Sequence, residues 1–303
     1  MSGGGRLAGL LDDGRFVVTG ELVPPRSPDA GLVRRAAAQL AGLVDAVNVT
    51  DNAAARVGMS PLAAAVLAAG EGLEPVLQLT CRDRNRLALA ADLLGAHALG
   101  MRAILCLSGD PLEVGPYGDA KAVFDLDAIG LARLATALGD GVGPDGGPLD
   151  PPARFLVGVA EAPGRADPSG GARLAAKVAA GARFVQTQPV YDLAAFAAWL
   201  ELLAGRGLPD RVAILAGVLP PRSAAQLERF ARLPGWSVPE ATVERLRAAR
   251  DQRAEGIALA AEMVEGVRAL PAVRGVHLMG VGPATGVPEV IHAAGLLPRP
   301  QPA

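Results

Sequence analysis

The chain has 303 residues, half of them hydrophobic, enough for one large α/β barrel or two smaller domains with a sizeable core. Aromatics are only 3%, so that core is built mainly from Ala, Leu and Val, and the net charge of −2, with acids and bases mixed along the chain, gives no sign of a nucleic-acid groove or of an anionic membrane surface as partner. The two cysteines, Cys81 and Cys106, form no CxxC pair and have no His at metal-ligand spacing. They read as buried free thiols of a reducing compartment, and with no leader-like opening and no apolar run of membrane-spanning length the expected location is the cytoplasm.

The elements follow in order. Residues 1–5 form a Gly-rich polar tail, expected to be disordered. A strand over 16–21 is closed by Pro24-Pro25, and a helix over 31–43 leads to a strand over 45–49 that ends at Thr50-Asp51. Ser60-Pro61 opens a helix running to 70, with Ser at the N-cap and Pro in the first turn. A strand over 74–79 ends at Thr80-Cys81, and a helix over 85–99 is closed by Gly100. The run Ala103-Ile-Leu-Cys-Leu107 is too short for a helix and reads as a strand buried on both faces; it stops at Ser108-Gly109-Asp110. Residues 111–122 form a candidate binding loop. Then come a helix over 127–138, a surface loop over 139–152, a strand over 154–160 ending at Glu161, a helix over 172–180, a strand over 184–187 ending at Gln188-Pro189, and a helix over 194–204. A strand over 212–217, helices over 222–233 and 239–270, a strand over 275–279 and a helix over 286–294 complete the chain.

Eight strands alternating with helices, without a hairpin signal, predict one (β/α)8 TIM barrel spanning residues 1–303 as a single catalytic domain. A doubly wound open sheet would require a Gly-rich phosphate turn after its first strand, and Glu-Leu-Val-Pro-Pro is not one. In a barrel the residues after each strand share one mouth. Here they are Glu21, Thr50 with Asp51, Thr80, Asp110, Glu161, Gln188 and Pro220, with Gln78 inside the third strand within reach. No Lys stands at a strand end for Schiff-base chemistry, and no His or Cys cluster suggests a catalytic metal. One or two acids among hydrogen-bonding amides suit an uncharged, nitrogen-rich heterocycle. Ordinary structural roles compete: Asp110 can cap a turn and Gln188 can satisfy loop backbone. Glu21 is harder to explain that way, because a carboxylate ending an apolar strand costs several kcal/mol if buried unpaired, unless it keeps its proton, and a protonated carboxyl is what a general acid needs.

Six stretches carry a resemblance: Thr-Gly-Glu21-Leu-Val-Pro-Pro, Val-Asn-Val-Thr50-Asp-Asn, Leu-Thr-Cys-Arg-Asp-Arg-Asn85, Leu-Ser-Gly-Asp110-Pro, Lys177-Val-Ala-Ala-Gly-Ala and Gln-Thr-Gln188-Pro-Val-Tyr-Asp192. In this order, over nearly the whole chain, they resemble the methylenetetrahydrofolate reductases, most closely the reductase module of bifunctional homocysteine methyltransferase/reductase proteins. The methyltransferase half, and the regulatory domain of eukaryotic members, are expected to be absent. The resemblance implies reduction of 5,10-methylenetetrahydrofolate to 5-methyltetrahydrofolate by NADH or NADPH through a bound flavin, usually FAD, in a ping-pong reaction serving one-carbon metabolism and methionine biosynthesis. By that likeness Glu21 is the general acid that helps open the folate ring. Asp110 lies near the flavin N1 edge and the pterin, where its charge makes the reduced flavin a better hydride donor. Gln188 bonds the pterin, and Gln226 and Phe230 contact folate or nicotinamide. Thr50, Asp51, Ala53, Gln78, Ser108, Gly109, Phe124, Asp127 and Lys177 fall at flavin-contact positions. Partners are then the folate and NAD(P)H, with a homo-oligomer as the expected assembly. The sequence departs from the family pattern where Gln78 replaces a His, Ser108 an Arg, Ala176 a basic residue and Pro283 an Arg. Two cations near the cofactor phosphates are therefore missing, each charged hydrogen bond being worth roughly 1.5–3 kcal/mol, which leaves FAD, FMN and a flavin-free direct hydride transfer as alternatives. A non-catalytic folate-binding subunit is the reading from another class; it has no use for Glu21.

Overall fold

The computed structural model describes residues 5–163, 171–232, 236–280 and 286–301. Pro283, Leu233 and all but the last residue of the expected tail lie outside them.

A short helix that the hydrophobic pattern did not announce, α1 (Arg6–Asp12), precedes the first strand. Strand β1 (Val17–Leu22) is followed by α2 (Ala30–Ala38), β2 (Ala46–Val49), α3 (Pro61–Ala69), β3 (Pro75–Thr80), α4 (Arg86–Ala98) and β4 (Ala103–Leu107). The second half runs α5 (Ala128–Gly139), β5 (Leu156–Glu161), α6 (Ala172–Ala179), β6 (Phe184–Pro189), α7 (Leu193–Ala204), β7 (Ala213–Val218), α8 (Ala224–Ala231), α9 (Glu240–Ala248), α10 (Gln252–Arg268), β8 (Val273–Leu278) and α11 (Val287–Ala293). All strand pairs are parallel in chain order, and β1 pairs with both β2 (Thr19 opposite Ala46) and β8 (Val17 opposite Gly275), which closes the barrel.

Helix starts follow their side chains: Asn85, Asp127, Asp192 and Ser223 accept from the backbone N–H of Ala88, Gly130, Ala195 and Gln226. Pro61 opens α3 as expected, but Ser60 makes no side-chain capping bond. The helix expected over 239–270 is two helices. Ala249 is extended (φ −69°, ψ 136°), and Asp251 restarts the chain by accepting from the N–H of Arg253 and Ala254.

The barrel interior is layered by the period of two along each strand. Val17, Ala46, Val76 and Phe184 form the bottom layer with Leu105 and Leu215, sealed by Leu7 and Leu10 of α1. Gly158 makes room for the Phe184 ring, since a Cβ there would fall 2.1 Å from its Cζ. Two residues further along, the same strands place Thr19, Asn48, Gln78 and Gln186 in a buried middle layer. Two residues further again come Glu21, Thr50, Thr80 and Gln188, at the C-terminal rim. The larger core, including Leu22, Val33, Leu77, Leu93 and Ile104, lies between strands and helices.

Candidate active site

Glu21 stands at the end of β1 with its side chain 17% exposed, and the one basic side chain within 4 Å of its carboxyl among the described residues is His277 of β8, Oε2 to Nε2 at 3.7 Å. Beside it, at the end of β2, Thr50 Oγ1 is buried with no hydrogen-bond partner among the described residues. Gln78, also buried, and Gln188, half-buried, make no side-chain hydrogen bond to a described residue. The rim thus presents a carboxyl, an amide and an unsatisfied hydroxyl, with the Gln78 amide one layer below, a set that a flat hydrogen-bonding ring can satisfy.

The loops after β2, β3 and β4 are bound together by a cation. Arg82, 2% exposed, donates to both carboxylate oxygens of Asp83 (2.7 Å each) and to the carbonyls of Asn52 and Asp110 (3.2 Å each). Burial pushes the Asp83 carboxyl up, but the bonds from Arg82 and Asn52 prevail and hold it below the usual range. Asp110 Oδ2 in turn accepts from the Ala54 N–H at 3.0 Å. That bond holds a turn in which Asn52, Ala54 and Ala55 have φ of 46°, 53° and 52°; such strain persists only where the surroundings over-determine it. Gly109 has φ +95°, and a Cβ there would approach Arg82 Cβ at 2.9 Å. Between this turn and the β1 loop lies a cavity of about 500 Å³ lined by Leu22, Pro24, Pro25, Thr50, Ala53 and Tyr117.

The remaining expected contact residues have local duties. Asp51 accepts from the Thr80 N–H (2.8 Å) and Oγ1 (2.9 Å) and from Arg84 (2.6 Å), which uses its carboxylate fully. Ser108 Oγ accepts from the Ala128 N–H and Asp127 caps Gly130, both at the start of α5. Lys177, 3% exposed, donates to the Ala160 carbonyl and to Glu161 Oε2 at 3.0 Å; burial lowers its pKa even with Glu161 beside it. Gln226 Oε1 accepts from the Arg222 N–H at 2.7 Å, and Phe230 packs on Trp236 with ring centroids 4.8 Å apart. Phe124 is exposed at φ 44°, and Ala53 lies on the strained turn. At the C-terminal end of the barrel Glu21, Gln188 and Asp110 keep exposed surface, Thr50 lines the cavity and Gln78 is buried one layer below, while Asp51, Asp127 and Lys177 are held by protein partners.

Sequence reasoning missed Arg82, although its motif was in view, and the middle layer of Thr19, Asn48, Gln186 and His277. Counting back two residues from Glu21, Thr50 and Gln188 would have found Thr19, Asn48 and Gln186.

Fold and rim together define a (β/α)8-barrel protein with an acid-and-amide mouth. The model of the methylenetetrahydrofolate reductase family matches residues 6–295, and the chain belongs to that family. Among curated relatives, methylenetetrahydrofolate reductase 1 of Schizosaccharomyces pombe is 26% identical over 234 residues, 74% of this chain and 36% of that protein. Methylenetetrahydrofolate reductase 2 of the same yeast is 30% identical over 192 residues, 57% of this chain and 27% of that protein. The chain thus spans about a third of the length of these relatives. A solved Clostridium thermocellum protein described as binding two copies of 5-methyl-5,6,7,8-tetrahydrofolic acid shares the fold, with TM-score 0.69 at 14% identity over 96% of this chain and 98% of that one.

Proposed function

We propose that this barrel reduces 5,10-methylenetetrahydrofolate to 5-methyltetrahydrofolate at the expense of NADH or NADPH. The observation that carries the reading is Glu21: a carboxyl with no hydrogen-bond partner among the described residues, at the mouth, in a chain of this family. The folate-binding protein of the same fold is consistent with it. In this reading Glu21 donates a proton to the amine nitrogen that leaves as the five-membered ring opens, because a neutral amine leaves poorly without one. Gln188, on the same rim at the end of β6, holds the pterin edge through its unused amide.

The rim suits a flavin ring: Thr50 Oγ1 lacks a partner and the Gln78 amide is unused. When bound, a flavin supplies a hydride carrier between nicotinamide and folate. Thr50 and Gln78 would hold its polar edge, and Asp110, fixed by Ala54, would sit beside it. The phosphates of FAD are less well provided for, since Lys177 is engaged by Glu161 and Ser108 caps α5. That observation favours, as a second reading, direct hydride transfer from NADH to the folate without flavin.

The test is anaerobic incubation of the purified protein with the methylene substrate and NADH or NADPH, with and without added FAD or FMN, and chromatography of the products. Formation of 5-methyltetrahydrofolate is expected with at least one donor. None with either donor, flavin present or not, refutes the function. Product from protein free of flavin absorbance decides for direct transfer.

A further inference from the structure

The polar layer beneath Glu21 ends at a histidine that no part of the proposed reaction uses. Asn48 and Gln186 exchange two bonds, Asn48 Nδ2 to Gln186 Oε1 at 2.6 Å and Gln186 Nε2 to Asn48 Oδ1 at 3.0 Å. The second N–H of Gln186 Nε2 reaches Thr19 Oγ1 at 3.2 Å. Thr19 Oγ1 lies 3.0 Å from His277 Nδ1, and its other acceptor, the Val276 carbonyl, is more distant at 3.5 Å. All four side chains are buried.

With the amides in the orientation the structure assigns, the distances in this ladder favour one tautomer of His277. Thr19 Oγ1 accepts from Gln186, and of the two acceptors within reach of its single proton His277 Nδ1 at 3.0 Å is nearer than the Val276 carbonyl at 3.5 Å, so we assign the proton to Nδ1. In that tautomer the ring hydrogen is on Nε2, the nitrogen 3.7 Å from Glu21 Oε2. That separation is longer than a hydrogen bond, as is common before substrate closes a site. A buried polar ladder is no more stabilising than apolar side chains of the same volume, so fold stability alone does not account for it.

We propose that His277 is a positioning residue for Glu21, held by the Asn48–Gln186–Thr19 ladder so that its Nε2–H meets Oε2 of the acid. This rests on the reading of Glu21 as the proton donor to the folate. The C–N bond breaks with its electron pair passing to nitrogen, the Glu21 proton follows, and a carboxylate is left on Glu21. The His277 Nε2–H donates to that carboxylate as the charge appears. Before the proton leaves, the same contact occupies Oε2 and leaves Oε1 as the oxygen that faces substrate.

Two substitutions separate this from a filling role. The amide nitrogen of Gln reaches about where Nε2 lies and can donate as it does, whereas Asn reaches only about where Nδ1 lies and there its amide oxygen can accept from Thr19. His277→Asn keeps the Thr19 contact and loses the one to Glu21; His277→Gln does the reverse. With both variants matched to wild type by circular dichroism and urea unfolding, His277→Asn is expected to lower kcat for folate reduction roughly 10–100-fold. KM for folate and for NAD(P)H should stay within about twofold, and His277→Gln should retain kcat within roughly fivefold. Equal losses in the two variants, or none in either, overturn the role of His277 while leaving the reductase reading intact. Absence of folate reduction in wild type overturns the reductase reading itself.

Discussion

The reciprocal bond between Asn48 and Gln186 makes a quantitative prediction about the barrel interior. Gln186→Leu preserves volume but removes both bonds to Asn48 and the donor to Thr19 Oγ1. It leaves Asn48 Nδ2 and Oδ1 buried at 0% exposure with no partner. Each orphaned buried group costs about 1–3 kcal/mol, and part of this is returned by the apolar side chain, so a net loss of about 2–4 kcal/mol is expected. Asn48→Leu alone should cost a similar amount, by stranding Gln186. The double variant Asn48→Leu/Gln186→Leu strands neither amide and should cost at least 1 kcal/mol less than the sum of the singles. Urea unfolding followed by circular dichroism measures all three, with the m-value checked for constancy. Single variants costing less than about 0.5 kcal/mol, or a double variant equal to the sum, would refute the view that the two amides satisfy each other.

Two predictions concern other buried groups. Burial pushes the Cys81 thiol up to about 12 and raises that of Cys106 as well, so at pH 8 Cys81 is thiolate to only about 10⁻⁴. A disulfide reagent should find no reactive thiol in the native protein and two in guanidinium, and one fast native thiol would contradict the buried placement. Burial also raises the Glu74 carboxyl above 4.5, against the lowering effect of the Leu7 N–H it accepts. The folded state therefore holds this proton more tightly than the unfolded chain. Its contribution is complete below pH 4.5 and is lost as pH rises through the folded value. Glu74→Gln should remove that loss, so its stability relative to wild type should climb between pH 4 and 7 in urea titrations; a flat difference would count against it.

The fold was legible because each strand is a short apolar run stopped by a polar residue, and the intervening helices carry caps such as Asn85, Asp127 and Asp192 that act as their residue types predict. Helix α1 was not legible: Leu7 and Leu10 are three apart in only seven residues, and they are held by the barrel floor rather than by their own periodicity. The break between α9 and α10 was missed because Ala249 and Arg250 suit a helix, and the cap at Asp251 decides against them. At the site, Glu21, Gln78 and Gln188 were visible as polar ends of apolar strands. The partnerships were not. That Asp51 is consumed by Arg84 and Thr80, or Lys177 by Glu161, depends on residues 16 to 33 apart in sequence that only the closed barrel brings together.

The most direct test of the account is Glu21→Gln beside wild type, with single-turnover formation of 5-methyltetrahydrofolate and NAD(P)H affinity measured on the same preparations. Gln keeps the size and hydrogen bonding of Glu but has no proton to give. Methylfolate formation is expected to fall about 10²–10⁴-fold while NAD(P)H affinity stays unchanged. An unchanged rate of methylfolate formation, or a loss matched by an equal loss of nicotinamide binding, would contradict the assignment of Glu21 as the acid.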